Sequence, residues 1–188
     1  MTGLGMNIEV GHRPIVKSLL WPDETATRDF AEALANAPAL RNAFIELQGE
    51  LGAGKTTLVR HLLRALGVPG RVKSPTYAVV EPYELADLNL NVWHFDFYRF
   101  SDPREWEDAG FRDIFASSGL KLAEWPRKAA GFLPRADLII HLEAVTEASR
   151  QVTLTAQTAL GLALLQAVSR DPSVPGMQGA QDLSKDQT

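Results

Sequence analysis

Residues 49–56 read Gly49-Glu50-Leu51-Gly52-Ala53-Gly54-Lys55-Thr56, and this octapeptide satisfies the pattern G-x-x-x-x-G-K-[ST]. Glycines allow the backbone to curl until successive N–H groups point inward, where they can surround a phosphate group. The helix that begins at Lys55 adds the positive end of its dipole to the same anion. Lys55 is then placed to reach the outer phosphates of a nucleotide, and the Thr56 hydroxyl to bind a magnesium ion.

The segments on either side of this octapeptide have the pattern that a phosphate-binding loop needs. Residues 43–48 (AFIELQ) predict a strand that ends at the loop, and residues 56–66 predict a helix that Gly67 stops. Elsewhere, short apolar runs alternate with amphipathic segments, which is typical of an α/β sheet. The octapeptide therefore lies where its function requires it.

The remaining elements are expected from apolar periodicity and turn residues. Further strands are predicted at residues 15–21, 77–85, 90–98, 120–124, 138–142 and 152–156, with 77–85 and 90–98 forming an antiparallel hairpin. Helices are predicted after Asp23, with Thr25 or Thr27 as the cap, and at residues 103–109 and 159–168. We therefore expect the chain to divide into three parts: a flexible N-terminal extension at 1–13, a P-loop domain at 14–170 and a disordered tail at 171–188.

Composition excludes several classes of protein. The chain has 188 residues, which fits one domain, and it has no cysteine for disulfides, thiolate metal sites or a thiol nucleophile. The net charge of −4 provides no general basic field for nucleic acid. There is no apolar run of the roughly 18 residues that a membrane helix needs. We therefore expect a cytoplasmic protein without membrane association.

ATP is favoured over GTP, because the guanine-reading run Asn-Lys-x-Asp is missing from the sequence. An ATPase of this type also needs an acidic residue at the end of a neighbouring strand to hold its magnesium ion. Glu124 and Asp96 are the two candidates, and the residues alone leave both open. Thr76, in Ser-Pro-Thr-Tyr, could contact the γ-phosphate or belong to an ordinary turn. His94 could act as a base, but a histidine on a strand face is more often structural.

Four segments in this order resemble one family. The segments GELGAGKTT, VKSPTYAVVEPYE, HFDFYR and LAEWP resemble the bacterial tRNA threonylcarbamoyladenosine biosynthesis ATPases, the TsaE family, from residue 21 to about residue 143. The N-terminal extension and the longer C-terminal end depart from the family pattern. The resemblance implies an α/β fold, a P-loop NTPase three-layer sandwich with a mixed, mainly parallel central sheet.

The resemblance also implies a role for each matching residue. The expected phosphate-binding residues are Gly49, Glu50, Leu51, Gly52, Ala53, Gly54, Lys55, Thr56 and Thr57. Thr56 and Glu124 are expected to bind Mg²⁺, and Asp96 to lie close to the metal and the attacking water. Lys55, Asp96 and Glu124 are then the catalytic residues.

Three more residues complete the site that the resemblance implies. Thr76 is expected to report the γ-phosphate, and Thr27 to lie near the base of the nucleotide. Trp125 is expected to be a mobile aromatic side chain beside Glu124, although it could instead be a packing residue.

The activity implied by the resemblance is Mg²⁺-dependent hydrolysis of ATP, weak in the isolated chain. The protein would act with two partner proteins, TsaB and TsaD, which transfer a threonylcarbamoyl group to adenosine 37 of tRNA. It would therefore contact tRNA only through the complex.

Two alternative functions stay open. A small-molecule or nucleoside kinase would need a compact arginine-bearing lid, which is not seen in the sequence, and a non-catalytic scaffold would bind ATP without turnover.

Overall fold

The computed structural model describes residues 14–176, so the predicted extension at 1–13 and residues 177–188 of the predicted tail lie outside the described residues. Seven strands are found within that range: β1 (Ile15–Trp21), β2 (Phe44–Gln48), β3 (Val80–Leu85), β4 (Leu90–Asp96), β5 (Leu120–Glu124), β6 (Leu138–Ala144) and β7 (Arg150–Ala156). The helices of the same range are α1 (Glu24–Ala35), α2 (Lys55–Ala65), α3 (Pro103–Asp108), α4 (Phe111–Ala116) and α5 (Ala159–Arg170). No helix among residues 14–176 has the length and apolar character needed to cross a membrane.

The strands form one mixed sheet in the order β1-β7-β6-β2-β5-β4-β3. The four central strands, β6, β2, β5 and β4, are parallel to one another. The pairs β1–β7, β6–β7 and β3–β4 are antiparallel. The predicted α/β fold with a mixed sheet is therefore confirmed, and parallel pairing is concentrated in the centre of the sheet.

Two cores lie on opposite faces of this sheet, because neighbouring residues of a strand point to opposite faces. Ile45 and Leu122 belong to a large core, called here the aliphatic core because most of its side chains are aliphatic, that also includes residues of α1, α2 and α5. Phe44 and Ala123, their neighbours in sequence, belong to a second core. This aromatic core consists of Phe44, Phe95, Phe97, Phe100, Trp106, Phe111, Ala123, Ala129 and Ala136. The three-layer arrangement implied by the resemblance is confirmed.

Two predicted element starts were wrong, each for a local reason. The N-cap of α1 is Asp23, not Thr25 or Thr27, because the Asp23 carboxylate accepts a hydrogen bond from the N–H of Ala26 at 3.1 Å. Strand β3 begins at Val80 rather than at residue 77. Val79 has a φ of 65° and its N–H donates to the Pro75 carbonyl, so residues 75–79 form a turn instead of continuing the strand.

Three features near element ends also differ from the sequence prediction. Strand β4 ends at Asp96, and α4 was not predicted at all, because the six-residue helix is too short to show a clear period. Val174, which lies in the predicted tail, is buried in the aliphatic core with 2% of its surface exposed.

We predict that Gly161→Ala destabilises the protein, although alanine is the better helix former by about 1 kcal/mol. A Cβ atom at position 161 would lie 1.8 Å from the backbone carbonyl oxygen of Asp137, which accepts a hydrogen bond from the N–H of Gln157 at 2.9 Å and is held by it. Urea unfolding should show a loss of about 1–3 kcal/mol, the usual cost of overpacking. Gln166→Ala, at an exposed position of α5, is the control. A Gly161→Ala protein more stable than the parent would contradict this packing.

Candidate functional site

The site is assembled by three neighbouring parallel strands that end at one edge of the sheet. Strand β2 leads into the phosphate loop, residues 49–56, while β5 ends at Glu124 and β4 ends at Asp96. The register pairs Glu124 with Leu47 on one side and with Asp96 on the other. Both candidate carboxylates therefore lie beside the phosphate loop, although they are far from it in sequence.

The phosphate loop depends on glycine at defined positions. Gly49 has a φ of 138° and Gly54 a φ of 107°, which side chains other than glycine rarely adopt. A Cβ atom at Gly49 would lie 2.3 Å from the carbonyl oxygen of Leu142 in β6. Helix α2 then begins at Lys55, so its free N–H groups face the loop. The spacing of the sequence motif is explained by this path.

Lys55 is held by the loop that it follows. Only 4% of its surface is exposed, and its Nζ donates to the carbonyls of Gly49 at 2.7 Å and Glu50 at 2.8 Å. The ammonium group also lies 4.0 Å from the ring centroid of Trp125. Burial lowers the pKa of Lys55 from its ordinary value, and the charge of Glu124 opposes this shift. The cation is kept close to the loop, where an anion can reach it.

Glu124 is a buried carboxylate that joins two elements. Its Oε2 accepts a hydrogen bond from the Thr56 hydroxyl at 2.8 Å, and its Oε1 lies 2.8 Å from Nε2 of His94. Exposure is 2% for Glu124 and zero for His94. Because an ionised carboxylate can only accept, the proton of His94 belongs on Nε2. The His94 Nδ1 has no hydrogen-bond partner among the described residues, and the contact with Glu124 is the hydrogen bond that the structure gives to this side chain.

Asp96 is bonded to the segment that carries Thr76. Its Oδ2 accepts from the hydroxyls of Ser74 at 3.0 Å and Thr76 at 2.8 Å, while its Oδ1 accepts from the N–H of Tyr98 at 3.0 Å. Asp96 is 3% exposed, so these bonds replace water around the carboxylate. The turn before β3 is thereby fixed to the end of β4.

Most of the predicted site residues line one cleft, called here the phosphate cleft. Its predicted members are Leu51, Gly52, Gly54, Lys55, Thr56, Thr57, Thr76, Asp96, Glu124 and Trp125. Thr27 and Ala53 line an adjoining cleft, which shares Gly54 and Thr57 with the first. Gly49 and Glu50 line a third cleft, and Trp125 lines both this cleft and the phosphate cleft.

Three residues of the site were not predicted. Ser74 and Tyr98 line the phosphate cleft, and each lies in a segment that had already been singled out, next to Thr76 or Asp96. Arg150 lies in the adjoining cleft, and its Nε donates to the Ala53 carbonyl at 2.8 Å. These two residues are 97 positions apart in sequence. No local pattern could have identified Arg150.

The chemistry of these groups fits a magnesium-bound nucleotide. A hydroxyl and two carboxylates, from Thr56, Glu124 and Asp96, supply the hard oxygen ligands that Mg²⁺ prefers. The Lys55 ammonium and the helix N-terminus supply positive charge for phosphate groups at the same place. One cleft therefore carries complementary groups for both a divalent cation and a polyphosphate.

The fold and the loop together define a class, the P-loop-like α/β proteins, in which a glycine-rich loop joins a central strand to a helix. Within that class, the chain belongs to the family of the threonylcarbamoyl adenosine biosynthesis protein TsaE, whose model matches residues 21–152. The resemblance seen in the sequence is confirmed, and the match includes every predicted site residue.

Individual relatives agree with this assignment. The tRNA threonylcarbamoyladenosine biosynthesis protein TsaE of Haemophilus influenzae is 41% identical over 79% of this chain and 94% of that protein. The protein of the same name from Bacillus subtilis is 34% identical over 75% of this chain and 87% of its own length. The crystal structure of YdiB from Bacillus subtilis has a TM-score of 0.69 and 26% identity, covering 85% of this chain and 97% of that one.

We predict that His94→Ala lowers the free energy of unfolding by about 2–4 kcal/mol, since it opens a cavity and leaves the Oε1 of buried Glu124 without a donor. His141→Ala is the matched control. His141 forms a similar pair with Glu143 at 3.0 Å, but this pair is partly exposed, so its loss should cost about 0.5 kcal/mol or less. Chemical denaturation measures both changes. Equal losses in the two variants would show that burial of the His94 pair has no structural consequence.

Proposed function

We propose that this chain is a Mg²⁺-dependent ATPase that supports formation of threonylcarbamoyladenosine on tRNA. The observation that carries the proposal is the hydrogen bond from Thr56 to Glu124, next to Lys55. It joins the hydroxyl of the phosphate loop to a carboxylate at the end of a neighbouring strand, the pair that a nucleotide-bound Mg²⁺ requires.

ATP binding would exchange the internal partners of the loop for phosphate oxygens. Lys55 would leave the Gly49 and Glu50 carbonyls, which it contacts at 2.7 and 2.8 Å, and bind the outer phosphates. The backbone of residues 49–57 would hold the phosphate chain. Thr27, in the adjoining cleft, would face the nucleoside, and Trp125 would move as Lys55 changes partners.

Hydrolysis would use the carboxylates in separate roles. Thr56 and Glu124 would hold Mg²⁺, which offsets the negative charge of the phosphate oxygens when it is bound. Asp96 would orient the attacking water and accept its proton. The Thr76 hydroxyl, now 2.8 Å from Asp96, could then turn to the γ-phosphate, so the bond between them would report whether that group is present.

The wider role rests on the family and its relatives. The Haemophilus influenzae and Bacillus subtilis relatives are both named as tRNA threonylcarbamoyladenosine biosynthesis proteins. We place this chain in the cytoplasm with TsaB- and TsaD-like partners, where ATP hydrolysis would reset the complex after the transfer. Its net charge of −4 supports indirect contact with tRNA, since direct contact is favoured by a basic surface.

Calorimetry with Mg-ATP tests the binding step. The parent chain should bind, and Lys55→Ala should weaken binding by roughly 10- to 100-fold, the effect of losing one hydrogen bond to a charged group. Lys17→Ala, on edge strand β1 at the far side of the sheet, is the control and should bind like the parent. No heat of association with a folded parent chain would remove the proposal.

Phosphate release from ATP, measured with and without the two partner proteins and tRNA, tests hydrolysis. Asp96→Asn should still bind Mg-ATP but release phosphate roughly 100-fold more slowly or worse, because the amide cannot accept the proton. Glu124→Gln should raise the Mg²⁺ concentration needed for half-maximal rate. Glu143→Gln, which changes a surface carboxylate beside His141, is the control for both. Parent-like turnover of Asp96→Asn would make Asp96 a structural residue.

A further inference from the structure

Arg150 connects two parts of the chain that sequence separates widely. It is the first residue of β7, and its Nη1 donates to the carbonyls of Thr146 at 3.2 Å, Glu147 at 3.2 Å and Ser149 at 2.9 Å. These bonds fix the guanidinium group to its own β6–β7 turn. The Nε of the same group then donates to the carbonyl of Ala53 at 2.8 Å. One side chain thus fastens the phosphate loop to the neighbouring turn.

The carbonyl that Arg150 holds is a sensitive point of the loop. Ala53 lies between two glycines, Gly52 and Gly54, which have φ angles of 80° and 107°. Because glycine adopts either sign of φ at little cost, the peptide between Ala53 and Gly54 can rotate without a steric penalty at Gly54. A rotated peptide would direct a carbonyl oxygen, rather than an N–H, at a bound phosphate.

Because the peptide is planar, the hydrogen bond to the Ala53 carbonyl also sets the direction of the Gly54 N–H in the phosphate loop. In a trans peptide the C=O of one residue and the N–H of the next point in opposite directions. With the Ala53 carbonyl held by Arg150, the N–H of Gly54 points away from Arg150 and remains available to an anion. Gly54 lines both the phosphate cleft and the adjoining cleft that contains Arg150, so it lies between the two.

We propose that Arg150 is a positioning residue that selects the phosphate-binding orientation of the Ala53–Gly54 peptide before the nucleotide arrives. This inference rests on the proposed function of the phosphate loop and adds a residue that the sequence motif does not contain. Without Arg150, part of the population would hold the peptide in the wrong orientation. The apparent affinity for any polyphosphate would then fall in proportion to the fraction of molecules that keeps the binding-competent orientation.

The test compares ATP with inorganic tripolyphosphate, which has no base or ribose. Arg150→Ala should weaken binding of the magnesium complexes of both ligands by a similar factor, about tenfold, as for loss of one hydrogen bond to a charged donor. Arg150→Lys keeps the positive charge, but its single ammonium group cannot donate to the turn and to Ala53 at the same time as the planar guanidinium does. This variant should therefore bind both ligands as poorly as Arg150→Ala. Arg135→Ala is the control, because Arg135 is exposed and bonded to Gln157.

NMR relaxation dispersion in the nucleotide-free protein, which detects conformational exchange, provides a readout independent of ligand affinity. The Gly54 amide should show exchange between two peptide orientations in both Arg150 variants but not in the Arg135→Ala control. Unchanged affinity and exchange in folded variants would overturn the inference. Loss of affinity for ATP alone would also overturn it, since Arg150 would then contact the nucleoside, and recovery in Arg150→Lys would reduce its role to charge. Failure of the parent chain to bind either ligand would instead remove the proposed function, while the exchange measurement would still test the role of Arg150.

Discussion

The parallel alignment of β2, β5 and β4 is the constraint on which the site depends. Parallel strands bring their carboxyl ends to the same edge of a sheet, so the phosphate loop, Glu124 and Asp96 meet there. The antiparallel outer strands extend the sheet on both sides of this centre. A register shift of one residue in β5 would turn Glu124 to the opposite face, away from Thr56 and His94. The packing of both cores therefore also fixes the chemistry of the edge.

The polar groups of the cleft satisfy one another in this structure. Lys55 is bonded to loop carbonyls, Glu124 to Thr56 and His94, and Asp96 to the Ser74 and Thr76 hydroxyls. Buried polar groups without partners would be costly, so these bonds stabilise the loop. A ligand must replace them with bonds at least as favourable. The binding free energy is then the difference between the ligand-free cleft and the ligand-bound cleft, both with satisfied hydrogen bonds. A ligand that brings both phosphate groups and a metal ion can replace all of the internal bonds, so the cleft can select it.

The sequence predicted what depends on local pattern and missed what depends on register and distance. The phosphate loop was located because Gly49, Gly54 and Lys55 are required at fixed spacing. The residues alone left the choice between Glu124 and Asp96 open, and only the resemblance favoured Glu124 as the metal ligand. Strand pairing adds what no local pattern contains, namely that Glu124 bonds to Thr56 while Asp96 bonds to the turn before β3. Likewise, Arg150 and Ala53 are hydrogen-bonded although they are 97 positions apart in sequence, because the sheet brings them together. Turns and caps such as Asp23 were misplaced because several residues nearby could serve equally well.

A crystal structure of the full chain with Mg²⁺ and a non-hydrolysable ATP analogue tests the central claim most directly. We expect the triphosphate along the phosphate loop, the Nζ of Lys55 on its outer phosphates instead of the Gly49 and Glu50 carbonyls, and the ion beside Thr56 and Glu124. A nucleotide bound elsewhere, with Lys55 still on both carbonyls and the Thr56–Glu124 hydrogen bond intact, would contradict the claim that this edge of the sheet is the ATP site.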